Sequence, residues 1–267
     1  DEPFSALDVL TAETLRTDFL DQSSFENQST GIGLRTGFRI GERTNLGLTY
    51  SLVQDDTTIA DSFVDHDGNV LTPDINQCDP ANPGRPLLCD QEGTFLTSVV
   101  GFQVNWDRRN SPVNAPRGFN LDVSQDIAGL GGEVNYLRTE IEGGIYYGLP
   151  YGFRASFRGS AGLISGWNGD SVRINDRFFK GGSSFRGFDT AGIGPRQLLV
   201  DDVTGEVVQR GDAVGGNAYA IGTLQLDVPL PLPESFSLGS ALFVDFGTLG
   251  YLDAENRRTV DQVGPDR

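Results

Sequence analysis

An all-β fold, a transmembrane antiparallel β-barrel of about nine strands, is what the 267-residue sequence predicts. Three observations predict it. Apolar residues alternate with polar ones at period two through nearly the whole chain, the alternating segments run to about ten residues or more, and the connections alternate between tight turns and long excursions. A soluble sandwich also alternates, but its strands have about 5 to 6 residues, and nothing in it sorts short turns to one end and long loops to the other.

A weak first segment lies near residues 9 to 20, and in "STGIGLRTGFRI" Ile32, Leu34, Phe38 and Ile40 then take one parity while Gly33, Arg35, Gly37 and Arg39 take the other. After the tight turn "GERTN", Leu46, Leu48, Tyr50 and Leu52 repeat the pattern. A long excursion over residues 55–94 precedes Leu96, Val100, Phe102, Val104 and Trp106, set against Thr97, Gly101, Gln103 and Asn105. Phe119, Leu121 and Val123 mark the next segment, and Leu137, Ile141, Ile145 and Tyr147 alternate with Arg138, Glu140 and Glu142. The turn "LPYG" leads to Phe153, Ala155 and Phe157 against Arg154, Ser156 and Arg158. A second excursion, 168–216, separates these from Leu224, Leu226 and Val228; the turn "PLPES" then precedes Phe236, Leu238, Leu242, Val244 and Phe246. No segment reads as a helix.

The apolar parity would face lipid and the polar parity a lumen. Arg35, Arg39, Arg138, Glu140, Glu142, Arg154, Arg158 and Asp245 all fall on the lumen side, either as the lining of a substrate pore or as charges pairing around a plug. Trp106, Tyr147, Tyr151 and Phe153 sit at strand ends beside tight turns, where an interfacial girdle belongs.

Composition excludes other classes. With 37 Asp and Glu against 20 scattered Lys and Arg, and a formal charge of −17, the chain lacks the clustered cations that nucleic acid requires. Hydrophobic residues are 37%, mean hydropathy is −0.26, and no apolar run approaches the roughly 18 to 20 residues of a membrane-spanning helix. Cys78 and Cys89 flank the compact "CDPANPGRPLLC" and are expected to form a disulfide on the cell-surface side, which implies an oxidising compartment. His66, the only histidine, lies in "DHDGN", which reads as a hairpin turn around Asp67-Gly68 rather than a calcium loop. A single histidine assembles neither a Ser-His-Asp triad nor a multi-histidine metal site, and "GIGLRTG" fails the dinucleotide spacing; no catalysis, cofactor or metal is expected. The chain opens at Asp1 without Met or a signal peptide and reads as a mature form or an excised piece.

One stretch stands outside the alternation. "FFKGGSSFRGFDTAGIGPR", followed by "GDAVGGNAYAIGTLQLDVP" and "SALFVDFGTLG", resembles the carboxy-terminal barrel of the BamA family of outer-membrane protein assembly factors, and the "WDRRNSPVNAPRGF" turn extends the resemblance over most of the chain. Two-partner secretion transporters and TamA-like translocation factors are more distantly similar. The resemblance implies that Arg186, Gly187 and Phe188 sit on the longest extracellular loop, which folds back into the lumen. There the arginine would pair with Asp245 of "VDFG". Gly181, Gly182 and Gly187 would let that loop turn sharply against the wall. Parity by itself also sends Asp245 inward, opposite Leu242, Val244 and Phe246, where a lumen carboxylate wants a guanidinium; both charges are expected to be shielded from bulk water. Some relatives carry a second carboxylate on the preceding strand where this chain has Gln225, a further candidate partner of Arg186.

The resemblance further implies an outer-membrane assembly factor in a bacterial outer membrane, with the lipid bilayer, nascent β-barrel clients and assembly-complex lipoproteins as partners and no nucleic acid. A two-partner-secretion or TamA-like translocation pore of the same superfamily is the alternative, and a passive porin a more remote one. Measured against the family, the chain reads as part of a larger barrel, residues 1–267, without the first strands, the final strand and the periplasmic POTRA domains. Alone it is expected to leave two unpaired sheet edges.

Overall fold

The computed structural model describes residues 7–10, 15–17, 25–59, 92–111, 116–200, 207–230, 238–253 and 260–261. The alternating segments become long antiparallel strands: β1 (Leu7–Leu10), β2 (Leu15–Thr17), β3 (Phe25–Gly41), β4 (Thr44–Ile59), β5 (Gly93–Asp107), β6 (Arg117–Ala128), β7 (Tyr136–Gly148) and β8 (Arg154–Gly166). After a long excursion come β11 (Ala218–Val228) and β12 (Ser240–Gly250). They form one sheet in the order β1-β3-β4-β5-β6-β7-β8-β11-β12, with β2 also on the free side of β3. Nearest neighbours in sequence are nearest neighbours in space, as in an up-and-down barrel wall. Because β1 and β2 both pair with β3, they fill one strand position, and the wall is about nine strands wide. Among the described residues β12 pairs with β11 alone, and β1 and β2 with β3 alone, so these are the edge strands of the described wall.

Period two decides which way each side chain points, and its outward set is bare. Ile32, Ile40, Ile145 and Leu242 are 55%, 59%, 62% and 67% exposed, far more large apolar surface than a soluble sheet leaves to water. On a lipid-facing wall this is the expected arrangement. The outward polar pair Gln125 and Thr139, opposite each other on β6 and β7, satisfies itself: the threonine hydroxyl donates to Gln125 Oε1 at 2.7 Å and Gln125 Nε2 to the Arg138 carbonyl at 2.8 Å.

The buried core is not between two sheets. It sits at the long-loop end, where Ala128, Val134, Tyr136, Ile164, Val172, Phe178, Tyr219 and Leu249 cluster, with Val172 and Phe178 supplied by the excursion between β8 and β11. The wall is therefore packed against its own loop.

Several boundaries differ from the sequence reading. β4 extends to Ile59 and β5 begins at Gly93, because the polar stretch "QDDTT" continues the ladder, with Asp56 accepting from the Thr94 hydroxyl at 3.0 Å. β12 begins at Ser240, after Leu238 and Gly239, and Phe236 lies outside the described residues. The excursion expected over 168–216 holds strands of its own: β9 (Arg196–Val200) and β10 (Val207–Ala213) pair as a hairpin, and β13 (Val260–Asp261) joins β9 in a second, three-stranded sheet. The turn "PLPES", the cysteines Cys78 and Cys89 and the histidine His66 lie outside the described residues.

Candidate functional site: a loop folded into the barrel lumen

Residues 167–195 leave β8 and turn back over the inner face of the wall. Their base is fixed first. The Arg177 side chain is buried and spends three N–H groups on carbonyls: Nε and Nη2 donate to Val172 at 3.2 and 3.0 Å, and Nη1 donates to Val214 at 3.2 Å. One guanidinium thus clamps the chain entering the loop to the chain leaving it. Burial pulls its pKa down to about 10, so it stays charged at neutral pH. The Val172 N–H donates to Asp253 Oδ2 at 3.0 Å and the Asn175 amide to Thr57 Oγ1 at 3.0 Å, tying the base to the chain after β12 and to β4. Arg173 lies 3.6 Å over the Phe95 ring of β5.

Phe178 is the apolar anchor. Its backbone bridges Gly216 with two hydrogen bonds of 2.9 Å. Its ring, 3% exposed, meets Tyr219 of β11 edge-on at 4.7 Å, with the Arg138 guanidinium of β7 at 4.6 Å from its centroid. Gly162 of β8 makes the room: a Cβ there would run into both the Tyr219 and Phe178 rings. The polar lumen set continues the contact, since Tyr219 donates to Glu140 at 2.9 Å, Glu140 pairs with Arg138 at 2.7 Å, and Lys180 Nζ stands 3.9 Å over the Tyr219 ring. Of the two roles open to these charges, the structure shows pairing around an inserted loop. Asp176, in the turn Ile174–Asp176 at the base of the loop, has its carboxyl pKa raised from 3.8 to about 6, mainly by loss of hydration, against the pull of Arg173.

Beyond Phe178 the loop runs as a narrow hairpin, Lys180 bridged to Ile193, to a tip that closes on itself. The Gly182 N–H donates to the Phe188 and Asp189 carbonyls at 2.9 and 3.0 Å, and the Ser184 hydroxyl returns to the Gly181 carbonyl at 2.8 Å. Gly181 has φ 145° and a Cβ there would overlap the Asp189 carbonyl, so only glycine fits. Gly182 and Gly187, at φ 54° and 87°, complete the curl.

The tip presents Arg186 to β12. Nε and Nη2 donate to Asp245 Oδ2 and Oδ1 at 2.6 and 2.7 Å, a two-toothed contact that raises the arginine pKa further. The flat guanidinium also lies 3.4 Å over the Phe243 ring, two residues earlier on the same face. Thr223, directly across from Asp245 in register, donates its hydroxyl to Oδ1 at 2.7 Å. Phe185 is buried against Phe188, whose own ring is half-exposed.

Two expectations are corrected. Gln225 is not a partner of Arg186: two residues from Thr223 along β11, it accepts from Arg158 at 2.9 Å and donates to Asp227 at 2.6 Å, while Arg154 pairs with the same aspartate. The charges are unequally shielded, too, for the Asp245 side chain is 8% exposed and that of Arg186 38%. Thr223, Phe243 and Arg177 escaped the sequence reading. The first two share the lumen parity and were within its reach; Arg177 lies where no periodicity holds.

A family model described as the Omp85 superfamily domain matches residues 6–263. The outer membrane protein assembly factor BamA of Neorickettsia risticii is 31% identical over 170 residues, 63% of this chain and 21% of that protein. The human sorting and assembly machinery component 50 homolog is 34% identical over 171 residues, 62% of this chain and 33% of its own length. The Drosophila melanogaster SAM50-like protein CG7639 is 27% identical over 256 residues, 93% of this chain and 51% of that protein. The crystal structure of BamA from Haemophilus ducreyi lacking POTRA domains 1–3 superposes with a TM-score of 0.70 at 19% identity, covering 90% of this chain and 45% of the other, so the wall shares its fold. The chain spans between about a fifth and a half of the length of these proteins. With an inward loop on an antiparallel wall and a family match over nearly its whole length, the chain belongs to the Omp85 superfamily and is a BamA-like barrel.

Proposed function

We propose that this chain is the barrel part of a non-enzymatic assembly factor that folds and inserts β-barrel proteins into a bacterial outer membrane. Its partners are the lipid bilayer, unfolded β-barrel clients and the lipoproteins of an assembly complex; the work needs no nucleotide, metal or cofactor. Superfamily membership and the assembly roles named for the bacterial and animal relatives support the reading. A translocation pore of the same superfamily is not favoured by those names. The observation that carries the proposal is the Arg186–Asp245 contact. A loop with no load to bear needs no two-toothed grip on the wall, whereas a wall that must deform while clients insert needs an internal strut to hold its shape.

The test is a double-mutant cycle in the full-length protein from which the barrel comes, reconstituted in vesicles with an unfolded β-barrel client and read as the yield of protease-resistant client. Arg186→Ala and Asp245→Ala should each lower the yield, and the double variant should lose clearly less than the sum, since both remove one contact. Strict additivity, or full yield from either single variant, would overturn the strut.

A further inference from the structure

At the short-turn end the outward face changes character within one row of residues. Its last apolar row is aromatic: Trp106 on β5 meets Phe119 on β6 edge-on, centroids 4.9 Å apart, and Tyr147 on β7 is 59% exposed. Two arginines close the row. The Arg108 guanidinium lies 5.5 Å from the Trp106 centroid, and Arg117, directly opposite Tyr147 in register, lies 5.7 Å from that ring. The ladder continues past β5, with the Arg108 N–H donating to Phe119 at 2.8 Å and the Asn110 N–H to Arg117 at 3.1 Å, so the two arginines stand on neighbouring strands. Both are exposed.

Among the described residues neither Arg108 nor Arg117 has a carboxylate partner. Asp107, of the opposite parity, holds Arg109 at 2.7 Å, and Glu42 in the β3–β4 turn offers its backbone carbonyl to Arg39. A guanidinium stacked by its face on an aromatic ring keeps its N–H edge available, and that edge matches phosphate oxygens. Its level fits as well, since one row beyond an interfacial aromatic belt lies the headgroup layer.

We propose that Arg108 and Arg117, seated on Trp106 and Tyr147, form a binding site for the phosphate of an anionic phospholipid in the leaflet at the short-turn end. The site rests on the barrel fold and is independent of the assembly reading, because its test reads lipid selectivity rather than client folding.

The full-length protein is reconstituted in phosphatidylcholine vesicles with spin-labelled phosphatidylglycerol or spin-labelled phosphatidylcholine, and the motionally restricted lipid is measured. The wild type should prefer phosphatidylglycerol by roughly tenfold, weakening with salt, as expected for two cations at a membrane surface. Arg108→Gln with Arg117→Gln should bring the preference close to unity, and each single variant should fall between. Arg108→Lys with Arg117→Lys, which keeps the charge, should retain part of it and remains informative if the glutamine double variant fails to insert. Equal restriction of the two lipids in the wild type, which would leave an acidic partner protein as occupant, overturns the proposal, as does full selectivity in the single glutamine variants. Displacement of the labelled lipid by inorganic phosphate would assign the site to free phosphate and also overturn it.

Discussion

The base and the tip of the inward loop are held by opposite means. At the base, Phe178 is packed among aromatic and aliphatic side chains and Arg177 is buried with its N–H groups on backbone carbonyls. At the tip, one ion pair spans from Arg186, more than a third exposed, to Asp245, and the neighbouring Phe188 ring is half in the open. Burial holds the base and directed charge holds the tip. The loop is thus anchored where it leaves the wall and only gripped where it reaches across, so the grip can be lost without the anchor.

The largest effect should come from Phe178→Ala. Deleting a ring from a site that Gly162 has been hollowed out to receive should destabilise the docked base by about 3 to 5 kcal/mol. Hydrogen exchange of the backbone over residues 172–180 in the full-length protein measures it, and unchanged protection there would erase the contrast between base and tip. Arg177→Leu comes next, costing about 1 to 3 kcal/mol by leaving the Val172 and Val214 carbonyls without their donor. The same exchange measurement should show losses at both ends of the loop, since one side chain serves both.

A smaller, pH-dependent effect should arise at Asp176. Its carboxyl titrates near 6 when the loop is docked and near 3.8 when it is not, so the docked form binds the proton more tightly. The base should hold best below pH about 4 and weaken as pH rises through about 6. Asp176→Asn should remove that dependence, read as protease cleavage of the loop across the window. Smallest of all in stability should be Arg186→Ala: thermal unfolding should move little, because Arg186 is more than a third exposed and water screens the pair from that side, even as client assembly falls. A variant that melted much earlier would make the tip an anchor like the base.

Strand parity was fully legible, and with it the inward aim of Asp245, because one face of each strand answers to lipid and the other does not. The loop motif around Arg186 was legible through resemblance. The cross-strand partner Thr223 was not, although its parity was plain, since register between β11 and β12 depends on a connection of residues 229–239 that is no two-residue hairpin. Arg177 and the β9–β10 hairpin were hidden for a different reason. Around Val172 and Phe178 the chain is shaped by what it packs against, and a packing partner far away in sequence leaves no period to read; in the β9–β10 ladder two register shifts interrupt the alternation.

The self-closed tip bears on time as well as strength. Since Ser184 binds Gly181, and Gly182 binds Phe188 and Asp189, rather than the wall, release of Arg186 leaves a preformed knuckle that has only to swing, a motion in the nanosecond to microsecond range of loops, whereas freeing the base demands local unfolding that takes microseconds to seconds. The loop therefore carries a fast clock mounted on a slow one. Probes placed at Phe188 and at Phe178 should relax at rates far apart, and the wall should sense many strokes of the first within one of the second.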